Sequence, residues 1–309
     1  MQCTYGWDWV ARFVCCSICG DVSIVSYDAT SDIRIADKYI YTKYIDEDSA
    51  EIVIKVNFED DSAPGQINVK IYSPYGEMVA HHERYCAEKV ARINLDIANP
   101  CLWYPLGYGE QPIYKIVITD NNDNVLASEN FGIRIVKIMQ IVDKEGTEYY
   151  EKCQGMDKTV YDKNTEHSGF ILKVNGKKII CMGGNWVPPE PFYNKNTDAK
   201  VTEALELSAK AGVNMIRIWG GGVFETEHFY DECSRLGIMV TQDFLMACGK
   251  YPDDEEWFLE ELKKEAAYAA KLARNKACLM WWSGDNENAT SGSYTKEAFW
   301  GRKAGFSAI

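Results

Sequence analysis

The chain has 309 residues, enough for two or three domains, and its 46 acidic against 33 basic side chains leave a formal net charge of −13. That balance argues against a phosphate-binding basic face, and so against nucleic acid or an anionic membrane surface as partner. Apolar residues at 46% and charged residues at 26% are ordinary for a globular chain rather than a disordered one, and apolar runs such as Ala277 to Trp282 are far too short to span a bilayer.

From the N-terminus, Met1 to Trp7 lacks the basic-then-apolar plan of a secretory signal. Of eleven cysteines only Cys15, Cys16 and Cys19 cluster, and no second pair at zinc-ligand spacing follows them. The expectation is reduced thiols, a cytoplasmic chain, no metal and no cofactor. The four histidines, His81, His82, His167 and His228, fall in no metal signature.

Residues 22 to 137 read as strands. Alternation is clear from Glu51 to Phe58, with Ile52, Ile54, Val56 and Phe58 on one face, and it recurs over 33–44, 66–72, 90–97, 113–119 and 125–136. Turn clusters such as Asp60 to Gly65 and Asp120 to Asn124 separate these runs. Roughly seven strands at this spacing suggest an immunoglobulin-like β-sandwich. A polar stretch from Asp143 to Ser168 follows. Then Asn175-Gly176, between two apolar runs, signals a hairpin with a type I′ turn.

Beyond the hairpin the period changes. Asp198 is a candidate cap for a helix carrying Val201 and Leu205 and closed by Gly212. Strands at 214–219, 238–244 and 277–282 alternate with helices at 225–236 and 254–274. Alternating βα units imply a parallel sheet. The fold class expected is therefore multidomain, all-β plus α/β.

In a barrel of such units, functional residues sit at the C-terminal strand ends. Those ends read Gly183-Gly184-Asn185-Trp186, Arg217-Ile218-Trp219-Gly220-Gly221-Gly222, Gln242-Asp243-Phe244 and Trp282-Ser283-Gly284-Asp285-Asn286-Glu287. Indoles beside amides and carboxylates suit a sugar: rings stack on pyranose faces, and polar groups bind hydroxyls. Each feature also has a plain reading. Asn286-Glu287 could be a helix cap with a first-turn acid. The glycine run could be a flexible loop. Asp243 could be a cap, and Arg217 a structural ion pair with Asp243 or Glu287.

Read together, these motifs resemble glycoside hydrolase family 2 and, within it, the β-mannosidases. Tyr5 to Trp9 is similar to the end of that family's N-terminal sugar-binding domain. Leu102-Trp103-Tyr104-Pro105 and Phe131 to Arg134 are similar to its sandwich motifs, and the four strand ends to its barrel motifs. Trp219 to Gly222 is similar to β-mannosidases and exo-glucosaminidases rather than to the β-galactosidase and β-glucuronidase branches, and Gly109 to Tyr114 and Asp243 to Cys248 lean toward the β-mannosidases. Departures include Val10-Ala11, Thr241, Asp285 and above all Glu190, where the family usually has a shorter acid.

The resemblance implies three parts. Residues 1–28 would be the remnant of a sugar-binding β-sandwich, 29–138 the immunoglobulin-like sandwich, and 139–309 the N-terminal half of a (β/α)₈ TIM barrel. It implies an exo-acting retaining β-mannosidase with Glu287 as general acid/base, whose pKa must be raised toward the working pH. Asn286 would bind the sugar 2-hydroxyl, Arg217 would hold the nucleophile, Trp186 and Trp219 would wall the pocket, and Asn185, Glu190 and Asp243 would contact hydroxyls. The family's nucleophile lies on the seventh strand. A barrel takes about 250 residues, and 168–309 offers little more than half of that, so the nucleophile is expected outside this chain. Glu297 follows Glu287 too closely to serve. The expected partners are a β-mannoside and the missing portions of the same enzyme. The alternatives are another family 2 exo-β-glycosidase, such as an exo-glucosaminidase or β-galactosidase, and a non-catalytic carbohydrate-binding fragment. The sequon at Asn288-Ala289-Thr290 adjoins Glu287 and is read as chance.

Overall fold

The structure, a computed structural model, describes residues 6–13, 18, 20, 22–142, 168–249 and 251–288. Cys15, Cys16, Cys19, His167, Glu297, most of the 143–168 stretch and the end of the sequon lie outside the described residues.

Seven strands form the first body: β1 (Ile35–Ile45), β2 (Ser49–Phe58), β3 (Gly65–Tyr72), β4 (Met78–Cys86), β5 (Val90–Ala98), β6 (Tyr114–Thr119) and β7 (Val125–Phe131). They make two antiparallel sheets, β1-β2-β5 and β4-β3-β6-β7. The inward residues of both, among them Ile52, Ile54 and Ile93 from one and Ile67, Ile71 and Ile116 from the other, share one core. That alternation is why these segments are strands: period-two patterning buries one face of each sheet. In a constant-type immunoglobulin sandwich the fourth strand joins the sheet of the first, second and fifth. Here β4 pairs with β3 instead. Apolar alternation does not reveal β4 because most of its side chains stay exposed or half-buried at a sheet edge.

The run 125–136, expected as one strand, is two. It breaks at Gly132, where a Cβ would meet the Cβ of Ala277 at 2.6 Å. The chain leaves the sandwich there and starts β8 (Val136–Val142), which pairs with β9 (Ser168–Val174) and through it with β10 (Lys177–Ile179). Asn175 and Gly176 turn between β9 and β10 with φ of 47° and 80°, the two positive angles of a type I′ turn.

The last body is a four-stranded parallel sheet in chain order: β11 (Gly183–Trp186), β12 (Met215–Ile218), β13 (Met239–Asp243) and β14 (Leu279–Ser283). Helices α1 (Asp198–Lys210), α2 (Glu227–Leu236) and α3 (Glu256–Ala273) connect them. The cap of α1 is Thr197, whose hydroxyl accepts from the Lys200 N–H; Asp198 is the first-turn acid rather than the cap. Helix α2 is capped by Thr226 and closed by Gly237 at φ 74°. Leu205, Phe229, Cys233, Ile216 and Val240 bury the helix–sheet interface.

The segment between α3 and β14 fastens this sheet to the sandwich. Arg134 donates to the carbonyls of Ala277 (2.8 Å) and Leu279 (2.6 Å). Asn275 accepts from the Ile40 N–H at 2.9 Å. The fully buried indole of Trp103 donates to the Ser234 carbonyl at 2.8 Å. Lys276, 1% exposed, meets Glu129 of β7 at 2.8 Å, Glu227 at 2.8 Å and Asp231 at 2.9 Å. Burial alone would lift the Glu129 carboxyl, but Lys276 and Lys38 hold it below its ordinary 4.5. Its contribution is therefore full above pH 4.5 and is lost as pH falls through the lower folded value. Lys276→Met takes the closer counter-ion from the buried Glu129, leaving it to Lys38 at 3.1 Å, and should cost about 3 kcal/mol at pH 7. Urea unfolding of Lys276→Met against Lys276→Met/Glu129→Leu checks this: the double variant should recover most of the loss.

Candidate active site

At the C-terminal ends of the parallel strands lies a cavity of about 350 Å³ lined by Trp7, Asp8, Trp9, Asn185, Val187, Arg217, Trp219, Cys248, Asn286 and Glu287. Parallel register sets it up: Asn185 stands opposite Arg217, and Arg217 opposite Thr241.

Arg217 is the hub. Its Nε and Nη2 reach the two oxygens of Asp243 at 3.2 and 2.5 Å. Nη2 also reaches Asn286 Oδ1 at 2.8 Å, and Nη1 reaches Asn185 Oδ1 at 3.3 Å. Guanidinium only donates, so it turns both amide oxygens toward itself and directs both NH₂ groups elsewhere. Asp243 is fully buried. Burial pushes its carboxyl up, opposed by Arg217, by the Gly220 N–H and by Ser283.

The glycine run after Trp219 is packed rather than loose. A Cβ on Gly220 would meet the Met246 carbonyl at 2.6 Å, and one on Gly221 would meet the Trp219 ring at 2.0 Å. The two glycines let the chain turn beneath the indole and bring the Gly220 N–H to Asp243 at 3.1 Å. Trp219 is itself buried, with the rings of Trp7 and Trp9 centred 5.5 and 6.3 Å away.

Glu287 sits on the loop after β14. That loop is joined to the loop after β13 by a parallel bridge between Ala247 and Asn286, with Asn286 N–H to Met246 carbonyl at 2.8 Å and Cys248 N–H to Asn286 carbonyl at 3.0 Å. Both Glu287 (φ 57°) and Cys248 (φ 46°) adopt the left-handed conformation, which costs a side-chain-bearing residue roughly 1–2 kcal/mol. Asp285 accepts from the Asn288 N–H at 3.0 Å.

Of the residues expected to touch a ligand, Asn185, Arg217, Trp219, Asn286 and Glu287 converge on the cavity. Three do not line it. Trp186 points to the opposite face of the sheet, packs on Phe229 and donates to Glu225 at 2.9 Å, because successive strand residues alternate sides. Asp243 lies beneath Arg217 as its counter-ion. Glu190 sits on the loop before α1, bonded to Lys200, whose hydrogen bond lowers the carboxyl's pKa. Arg217, expected above to hold a nucleophile, donates here to Asp243 and the two amides through four of its five N–H groups. The reading above did not assign Trp7, Asp8, Trp9, Val187 and Cys248 to the site. Trp7 to Trp9 is brought in from a distant tight turn closed between Trp7 and Val10, for which local periodicity carries no signal. Among the described residues no cluster of His, Cys, Asp and Glu could hold a metal ion, and no helix is long and apolar enough to cross a membrane.

An Arg–carboxylate pair orienting two amides beside an exposed acid and three indoles, at the ends of parallel strands, suits polyhydroxylated ligands. Comparison with known proteins agrees: residues 33–134 match the family model for glycosyl hydrolases family 2, and the chain resembles that family and, within it, the β-mannosidases. It is 31% identical to β-mannosidase B of Aspergillus terreus over 93% of this chain and 31% of that protein. It is 29% identical to the β-mannosidase of Bos taurus over 93% of this chain and 31% of that protein. The crystal structure of a β-D-mannosidase from Dictyoglomus thermophilum superposes with a TM-score of 0.79 at 31% identity, covering 93% of this chain and 33% of that one. A Parabacteroides merdae β-glucuronidase shares the fold at a TM-score of 0.65 and 16% identity, covering 83% of this chain and 30% of that one. The chain thus spans about a third of the length of these relatives.

Arg217→Met should leave Asp243 buried without its counter-ion and cost about 3 kcal/mol or more. Asp243→Asn in the same background should restore part of that. Guanidinium unfolding midpoints of the two variants give the comparison.

Proposed function

We propose that this chain is part of an exo-acting retaining β-mannosidase, and that Glu287 is its general acid/base. The observation that supports this most is the convergence of Glu287, Asn286, Asn185 and Trp219 on one cavity, in a chain whose relatives are β-mannosidases. On this reading the parallel sheet of β11 to β14 is the N-terminal half of a (β/α)₈ barrel spanning 139–309. The sandwich is the 29–138 domain, and residues 1–28 close a preceding sugar-binding domain that lends Trp7 to Trp9 to the pocket.

Retaining hydrolysis needs two carboxyl groups about 5–5.5 Å apart. Glu287 protonates the departing glycosidic oxygen and then takes the proton from the water that releases the sugar. The other carboxylate attacks the anomeric carbon. We place that nucleophile in a portion of the enzyme beyond this chain, as the greater length of the relatives allows. Trp219 offers the ring face for the pyranose, and Asn185 and Asn286 bind hydroxyls from amides that Arg217 has oriented. Asp8, which also lines the cavity, is a further hydroxyl acceptor.

The 309-residue chain alone should hydrolyse aryl β-mannosides no faster than buffer. A whole enzyme containing it should lose roughly 10²-fold or more in kcat on Glu287→Gln. Turnover by the isolated chain that vanishes in Glu287→Gln would refute the placement of the nucleophile. A panel of aryl glycosides on the whole enzyme separates mannoside from glucosaminide and galactoside specificity.

A further inference from the structure

We infer that Cys248 is a positioning residue for Glu287, its thiol donating to the carboxylate as the last link of a hydrogen-bond chain that begins at Asp243. The inference rests on the reading of Glu287 as acid/base but can be tested apart from it. Arg217 Nη2 holds Asn286 Oδ1 at 2.8 Å, so Asn286 presents its NH₂ to Cys248 Sγ at 3.3 Å. A sulfur that accepts from Asn286 directs its own proton away, and Glu287 Oε2 lies 3.3 Å from it. Each step fixes the polarity of the next, because guanidinium can only donate and an amide engaged through oxygen donates through nitrogen.

The backbone supports the same contact. Cys248 and Glu287 both sit at positive φ on loops joined by the Ala247–Asn286 bridge, and that bridge brings two side chains 39 positions apart into contact. Strained conformations of this kind persist where the surroundings hold them, and they concentrate at functional sites. The thiol anchors Oε2 and so fixes the plane in which the carboxyl faces the cavity. Around the sulfur stand Glu287, Asp285 and Asn286, and Asp8 and Arg217 also line the cavity. Burial raises the thiol pKa first, then the bond to Glu287 and its charge, so at neutral pH sulfur keeps its proton and remains a donor.

The test uses the intact chain. Tryptic cleavage after Arg235 and Lys250 releases a peptide whose sole cysteine is Cys248, so its alkylation by iodoacetamide can be followed by mass spectrometry despite the other ten cysteines. Because the thiolate is the reactive form, Glu287→Gln should speed alkylation at pH 7–8 about threefold or more. Asp285→Asn, which removes a nearby charge without a hydrogen bond to sulfur, should do less. An unchanged rate in Glu287→Gln, or an equal response to Asp285→Asn, overturns the inference.

Should Glu287→Gln fail to fold, the wild-type minus Cys248→Ser infrared difference isolates the one S–H band. A strongly bonded, low-frequency band supports the contact, and a weakly bonded one overturns it. In the whole enzyme, Cys248→Ala should lower kcat about tenfold with KM little changed, and Cys248→Ser should recover most of it. Thiol coupling in a whole enzyme that turns over no glycoside would sink the glycosidase reading alone. Turnover without thiol coupling would sink only this inference.

Discussion

The ion pair between Arg217 and Asp243 organises the candidate site. A fully buried carboxylate is expensive unless it is paired and its remaining lone pairs are satisfied. Here a two-pronged guanidinium, a backbone N–H and a serine hydroxyl meet that condition together. The pair's net worth to stability is small or even unfavourable relative to an apolar substitute. Its value lies in direction. With Asp243 holding one side of the guanidinium, the other side reaches two asparagines on two other strand ends and sets which way each amide faces. Three strand ends thereby present polar groups of fixed polarity to one cavity, above the buried acid of the fourth.

That geometry also depends on where β14 stands, and β14 is placed from outside the parallel sheet. The turn before it carries Arg274, Asn275 and Lys276, which reach β1 and β7 of the sandwich. Arg134, just past β7, takes carbonyls on the same turn and on β14 itself. Side chains from two bodies thus satisfy backbone groups that a parallel strand entering at a sheet edge would leave open. The sandwich contributes no described residue to the cavity, yet it fixes the strand whose end carries Asn286 and Glu287.

Much of this was legible in the sequence because two periods are. The apolar alternation of β2 and the α2 stripe of Phe229 and Cys233 each announce a buried face. Asn175-Gly176 announces a hairpin by needing two positive φ angles. Polarity at strand ends announced the site, but not which polar residue faces the ligand. Asn185 and Trp186 are neighbours with opposite fates, because one residue's shift along a strand changes the face. Edge strand β4 was invisible because its side chains are not buried. Trp7 to Trp9 and Cys248 come to the cavity through tertiary placement alone, the former across some two hundred residues of chain.

The sequence offers three acids for the site, Glu190, Asp243 and Glu287, and their environments differ. Glu190 is held by Lys200 on a surface loop away from the cavity. Asp243 lies beneath a guanidinium with every approach taken by a donor, so a proton transferred from it would cost the ion pair that orients the site. Glu287 alone of the three lines the cavity, on a backbone held at positive φ by a bridge between two strand-end loops. A reaction that moves a proton to and from an oxygen needs a carboxyl that can change charge without dismantling its surroundings. Asp243 cannot do that without breaking its pair with Arg217, and Glu190 stands away from the cavity, so on the proposed reading the role falls to Glu287.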